Sequence, residues 1–192
     1  MSRPYVSIDI ETTGIDDKCQ ILQISAVFDD LSSPVSELTS VDIPIKYEVM
    51  THCEPYAMGM NADLLKKMMD KNFTCYNVEA AEAQLISFLK QVHERSIDAK
   101  GKSQKIIFAG KNVASFDIPK IRNFLSREGL KVFDSLIHYK TLDVGSLYYD
   151  VFKDNVSLSK INELTGRPAV SHNALDDALD VVYAVRHKLG VK

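Results

Sequence analysis

The sequence predicts one α/β domain, residues 1–192, with a mixed central β-sheet flanked by α-helices. Three observations lead there. A length of 192 residues matches one ordinary domain. A content of 45% apolar and 26% charged residues is that of a globular chain with one sizeable core. The β-branched runs come first and are then interleaved with stretches of helical period, the order expected of a mixed sheet with helices around it.

Residues 5–10 (Y-V-S-I-D-I) follow a proline and read as the first strand. Residues 21–28 and 41–47 are the next two, and the short link through Gly14 makes the first pair an antiparallel hairpin. Residues 61–70 form a short helix. Residues 77–95 carry Val78, Ala81, Leu85, Phe88, Leu89 and Val92 at helical period. The polar stretch 96–104 is a loop. Residues 105–109 (K-I-I-F-A) read as a buried strand ending in Gly110, and 117–127 as a helix with Ile118, Ile121, Phe124 and Leu125 on one face. Residues 135–141 are an ambiguous apolar piece with a strand near Ile137. Two short helices follow at 144–152 and 158–164. A final helix, 174–189, turns Leu175, Leu179, Val182 and Val185 inward.

The 23 basic and 26 acidic residues leave a net charge of −3, which excludes coating duplex DNA by counterion release alone. A phosphate-bearing partner therefore needs a local cation, from a basic patch or a bound metal. Cys19, Cys53 and Cys75 form no C-x-x-C pair, which argues against a disulfide framework or a thiolate zinc site and suits a reducing cytosol. Residues 1–5 hold no apolar signal region. No apolar run approaches the ~18 residues of a membrane span. A cytoplasmic protein without membrane contact is expected.

Asp9-Ile10-Glu11 is the first chemical signal. Positions i and i+2 of a strand share a face, so both carboxylates project together beside the Thr12-Thr13-Gly14 turn. Such a pair repels itself and is most easily kept if cations sit between its members; alone, it fits a solvated strand end better. The second signal is the segment from Gly110 to Asp117, where an aspartate starts a helix after a buried strand. Ligands of open α/β sheets collect at the carboxyl ends of strands, although Asp117 taken alone also suits a helix start. The third is Ser171-His172-Asn173-Ala174-Leu175-Asp176-Asp177 at the start of the last helix. Taken together, these carboxylates and one histidine are oxygen-rich ligands beside a titratable base, a set that selects magnesium or manganese over zinc.

Asp9 through Gly14, then Asn112 through Phe116-Asp117, then His172 followed five positions later by Asp177, resemble the three ordered motifs of the DEDDh exonucleases, 3′→5′ exonucleases with the ribonuclease H-like fold. The segments 138–144 and 172–178 are similar to the oligoribonuclease branch. The resemblance implies two divalent cations, Mg²⁺ or Mn²⁺, held by Asp9, Glu11, Asp117 and Asp177, with His172 as the general base. It implies hydrolysis of phosphodiester bonds at the 3′ end of single-stranded or short nucleic acid, DNA or RNA, releasing nucleoside 5′-monophosphates. Thr12, Thr13, Gly14 and Ile15 would meet the terminal nucleotide. Asn112 would support the site, though it stands five residues before Asp117 where many proofreading relatives use four.

With no Trp in the chain, base stacking falls to Tyr139, Tyr56 or Phe116. Lys111, Lys120 and Arg122 are candidates to guide the strand. Lys66, Lys67, Lys100, Lys102 and Lys105 read as surface charge, and Met58, Met60, Met68 and Met69 as core filler. An imidazole ordinarily titrates at ~6.5, so activity is expected to fall below about that pH. A homodimer, a polymerase partner in a proofreading role, and a catalytically silent nucleic-acid-binding domain on the same fold stay open as alternatives.

Overall fold

The computed structural model describes residues 3–98 and 101–191. Of the surface lysines expected above, Lys100 lies outside them, as do Met1 and Ser2. Five strands form one sheet in the order β3-β2-β1-β4-β5. They are β1 (Tyr5–Thr12), β2 (Ile21–Asp29), β3 (Thr39–Pro44), β4 (Ile106–Gly110) and β5 (Ile137–Asp143). β2 runs antiparallel to both β1 and β3, whereas β1, β4 and β5 run parallel to one another. The helices are α1 (Pro55–Met60), α2 (Ala62–Met68), α3 (Val78–Arg95), α4 (Asp117–Phe124), α5 (Arg127–Leu136), α6 (Val144–Leu147), α7 (Tyr149–Phe152), α8 (Leu158–Thr165) and α9 (Ala174–Leu189). Among the described residues no helix is long and apolar enough to cross a membrane.

Strand alternation assigns the two faces of the sheet. Val6, Ile8 and Ile10 of β1 pack with Ala81, Leu85 and Leu89 of α3, Ile121 of α4 and Phe133 of α5. Each of these Val, Ile, Leu and Phe side chains, fully buried, contributes about 1.5–3 kcal/mol. The odd positions turn the other way, towards α9: Tyr5 packs with Val181 and Val185, and Ser7 Oγ donates to the Ala178 carbonyl at 2.7 Å. Asp9 and Glu11 continue this second row, so the pleat that builds the core also delivers two carboxylates beneath the start of α9.

The expected elements are present with several departures, among them the stretch expected as one helix at 144–152, which is divided into α6 and α7. The third strand lies at Thr39–Pro44, starting two residues and ending three residues upstream of expectation. The helix expected at 61–70 is preceded by α1, with Pro55 in its first turn. The helix expected at 117–127 ends at Phe124, and a second helix that was not expected, α5, runs from Arg127 to Leu136. Glu82 of α3 accepts the Ser126 amide and hydroxyl, both at 2.6 Å, and Ser126 then caps α5 instead of continuing α4. Gly129, one turn on, has no Cβ to collide with that carboxylate. The ambiguous piece at 135–141 resolves into the end of α5 and β5, which supplies the sheet's far edge.

Candidate active site

The parallel strands β1 and β4 end at one edge of the sheet, and the acidic residues gather there. Asp9 and Glu11 come from the end of β1. Asp117 opens α4, after a turn in which the left-handed Asn112 (φ 57°) donates its amide to Asp143 at 2.6 Å. Hydrogen bonds from Asn112 and Ser146, outweighing partial burial, hold the Asp143 carboxyl below its usual range. Asp177 lies in the first turn of α9, where Asn173 caps the helix by accepting from the Leu175 and Asp176 amides. His172 precedes that cap with left-handed backbone (φ 54°), a conformation that costs a residue with a side chain roughly 1–2 kcal/mol. Strain of this kind persists where its surroundings enforce it, as they do at functional sites.

Donor atoms of Glu11, His172 and Asp177 all lie within 4.8 Å of one another. Asp9 and Asp117 join them electrostatically. Burial pushes the Asp9 carboxyl well above the usual range, and the charges of Asp117, Asp177 and Glu11 push it further. Burial raises Asp117 to about 8 against the pull of two backbone hydrogen bonds, with Glu11 adding to the rise. It raises Asp177 to about 7, opposed by the Ser171 amide and reinforced by Glu11, Asp180 and Asp176. Glu11 is raised by burial and partly relieved by the Asn61 side chain. Among the described residues no Lys, Arg or His forms an ion pair with any of the four. A group of buried carboxylates that repel one another and have no cation of their own fits hard divalent ions with oxygen preference.

A cleft of about 320 Å³ opens over this edge, and Asp9, Glu11, His172 and Asp177 line it. Thr12, Gly14, Ile15 and Phe116 line it too, as does Tyr56. Ile15 is 77% exposed and Tyr56 79%. The other residues singled out in the sequence lie elsewhere or are engaged. Thr13 is fully buried, with its hydroxyl between the His52 carbonyl and the Gln20 amide. Asn112 is exposed beyond the cleft lining. Tyr139, 86% exposed, stacks on His138 and borders a separate hollow with Lys105 and Arg122. Lys111 is tied to Asn112 and Asn155, Lys120 to the Asp16 carbonyl, and Arg122 to Asp134.

Glu54, Ala57, Met60 and Asn61 also line the cleft and were not among the expected site residues. Met60 was expected in the core, as was Met69, which is 84% exposed. The Asn61 side chain donates to the Thr12 carbonyl at 3.2 Å and so ties the α1–α2 corner to the end of β1. Nothing in the spacing of 54–61 marks it as part of a site; it arrives by the path of the chain after β3.

No protein-family model matches the sequence, and no curated protein does. Solved structures do match. E. coli exonuclease I in complex with a dT13 oligonucleotide aligns with 98% of this chain and 41% of its own, at 16% identity and a TM-score of 0.65. Cell-death related nuclease 4 aligns over 98% of this chain and 64% of its own, with 12% identity and a TM-score of 0.64. S. pombe Pop2p, in a Mg²⁺ and Mn²⁺ bound form, aligns over 96% and 83%, with 15% identity and a TM-score of 0.61. The chain thus spans less than half the length of exonuclease I. At these identities the likeness is one of architecture: the chain has the ribonuclease H-like fold that these nuclease structures share.

Proposed function

We propose that the chain is a metal-dependent 3′→5′ exonuclease acting on single-stranded or short nucleic acid and releasing nucleoside 5′-monophosphates. The observation that carries this reading is the convergence of Asp9, Glu11, Asp117, Asp177 and His172 from three distant segments on one sheet edge, with no intrinsic cation among the described residues to neutralise the carboxylates. Exonuclease I in complex with a dT13 oligonucleotide and Pop2p in its Mg²⁺ and Mn²⁺ bound form, both similar in fold, support it.

Asp9, Glu11, Asp117 and Asp177 would hold two divalent cations. When bound, such ions lower the pKa of a coordinated water and neutralise charge on the attacking and leaving oxygens of an in-line displacement. The protein's own groups do the rest. His172, exposed at the rim beside Glu11 and Asp177, takes the proton of the attacking water at a ring nitrogen. Ile15 and Tyr56 face the cleft as apolar surfaces for the terminal base, with the half-buried Phe116 also in its lining. The backbone around Thr12 and Gly14 meets the sugar.

A 5′-labelled single-stranded oligonucleotide with Mg²⁺ or Mn²⁺ is expected to give a ladder shortening from the 3′ end. Asp9→Ala and EDTA should each abolish it. Internal cleavage, or shortening that survives EDTA, overturns the reading. Parallel DNA and RNA strands reveal the sugar preference.

A further inference from the structure

The turn after β1 is held from two sides. Glu54 lies one residue before α1, and its amide donates to the Thr13 carbonyl at 2.7 Å. Its carboxylate oxygen Oε1 accepts the Ile15 amide at 3.0 Å and the Asp16 amide at 3.3 Å. Two successive amides aimed at one anion form a small nest, an arrangement suited to negative charge. From the opposite side Lys120 of α4, buried and lying over the Phe116 ring, donates to the Asp16 carbonyl at 2.7 Å. Gly14 makes this fit possible, because a Cβ there would overlap the Glu54 carboxyl group. The turn therefore carries charge-assisted hydrogen bonds on both flanks, the stronger class of such bonds.

What this clamp presents is Ile15. That side chain and Tyr56 both line the cleft, yet each is more than three-quarters exposed, at 77% and 79%. Glu54 and Tyr56 are two residues apart, so one short segment carries one apolar surface and fixes the position of the other. Two apolar side chains left open in one cleft beside buried carboxylates suit a planar ring attached to a phosphodiester.

We propose that Glu54 is a positioning residue for the 3′-terminal nucleobase, acting through the Ile15 and Asp16 amides to hold Ile15 in the cleft that Tyr56 also lines. This rests on the exonuclease reading. The Glu54 carboxylate accepts from the Ile15 and Asp16 amides and the Cys19 thiol, none of which belongs to the acidic cluster or to His172, so its effect belongs to base-dependent binding and not to the hydrolytic step.

The test is steady-state kinetics with Mg²⁺ on a single-stranded oligonucleotide and on bis(p-nitrophenyl) phosphate, a phosphodiester without a base. For Glu54→Ala the oligonucleotide KM is expected to rise about tenfold with kcat within about twofold, and the oligonucleotide-to-ester ratio of kcat/KM to fall about tenfold. Glu54→Gln keeps an amide oxygen able to accept both N–H groups and should restore the ratio. The double variant Ile15→Ala/Glu54→Ala should lose no more than the larger single loss. An equal fall on both substrates, an unchanged KM, or failure of Glu54→Gln to restore the ratio overturns the inference alone. Wild-type protein inactive on both substrates overturns the exonuclease reading and the inference with it.

Discussion

β1 and α9 lie together, and each passes two sites where carboxylates are buried. At one end Asp29, fully buried, receives the Arg186 guanidinium through Nε at 3.0 Å and through a second nitrogen at 2.6 Å, and the Tyr5 hydroxyl at 2.8 Å. Arg186 belongs to the last turns of α9, and Tyr5 is the first residue of β1. At the other end of the same two elements stand Asp9, Glu11 and Asp177, with Asp117 beside them. No described residue offers these four a cation. The side chains are chemically alike. Where the counter-charge is part of the chain, burial builds a fixed cross-link between sheet and helix. Where it is not, burial stores repulsion that a ligand from solution can relieve.

The largest expected effect falls on the paired end. Arg186→Met leaves Asp29 buried without its cation and should cost about 3–5 kcal/mol in urea unfolding. A loss under about 1 kcal/mol would erase the distinction between the two ends.

At the acidic end the expected dependence is on pH and metal. The folded-state values of Asp117, about 8, and Asp177, about 7, lie above their ordinary 3.8. A carboxylate raised in this way contributes stability that is fully present below its unfolded value and is lost as pH rises through its folded value. In EDTA, these groups should therefore lower the melting temperature between roughly pH 4 and pH 8. A divalent cation binds the ionised form, so its stabilisation should be larger at pH 8 than at pH 5.5, reaching about 2.7 kcal/mol at a hundred times Kd. Melting curves with and without Mn²⁺ at both pH values check this. A shift of equal size at both would mean that these carboxylates are not the ligands.

The smallest effect is expected at an exposed pair. The side chains of Arg122 and Asp134 are 41% and 48% exposed, and Arg122→Ala should change stability by less than about 1 kcal/mol. A larger loss would show that exposure does not separate ornamental from structural ion pairs in this fold.

Much of the fold was legible in the residues because local physics and tertiary packing agree there. The alternation of β1, the apolar stripe of α3 and the helical period of α9 each state a structure that the finished domain keeps. The α4–α5 break was not legible, since Ser126 is captured by Glu82, a residue 44 positions away. The floor of the cleft was legible in outline, because carboxylates at strand and helix ends announce their direction. Its wall was not. Glu54, Met60 and Asn61 carry no chemical pattern of their own and reach the cleft only because α1 is tied to the end of β1.

The amino-acid order by itself determined which residues are apolar at which period, and hence which face of β1 carries Asp9 and Glu11. Only the tertiary structure decided that Asp117 and Asp177 meet them, that Asp29 obtains an arginine and they do not, and that Glu54 grips the neighbouring turn. The physical reason is range. Side-chain alternation and capping act over a few residues of chain, whereas repulsion among carboxylates and the need to satisfy buried polar groups act through space.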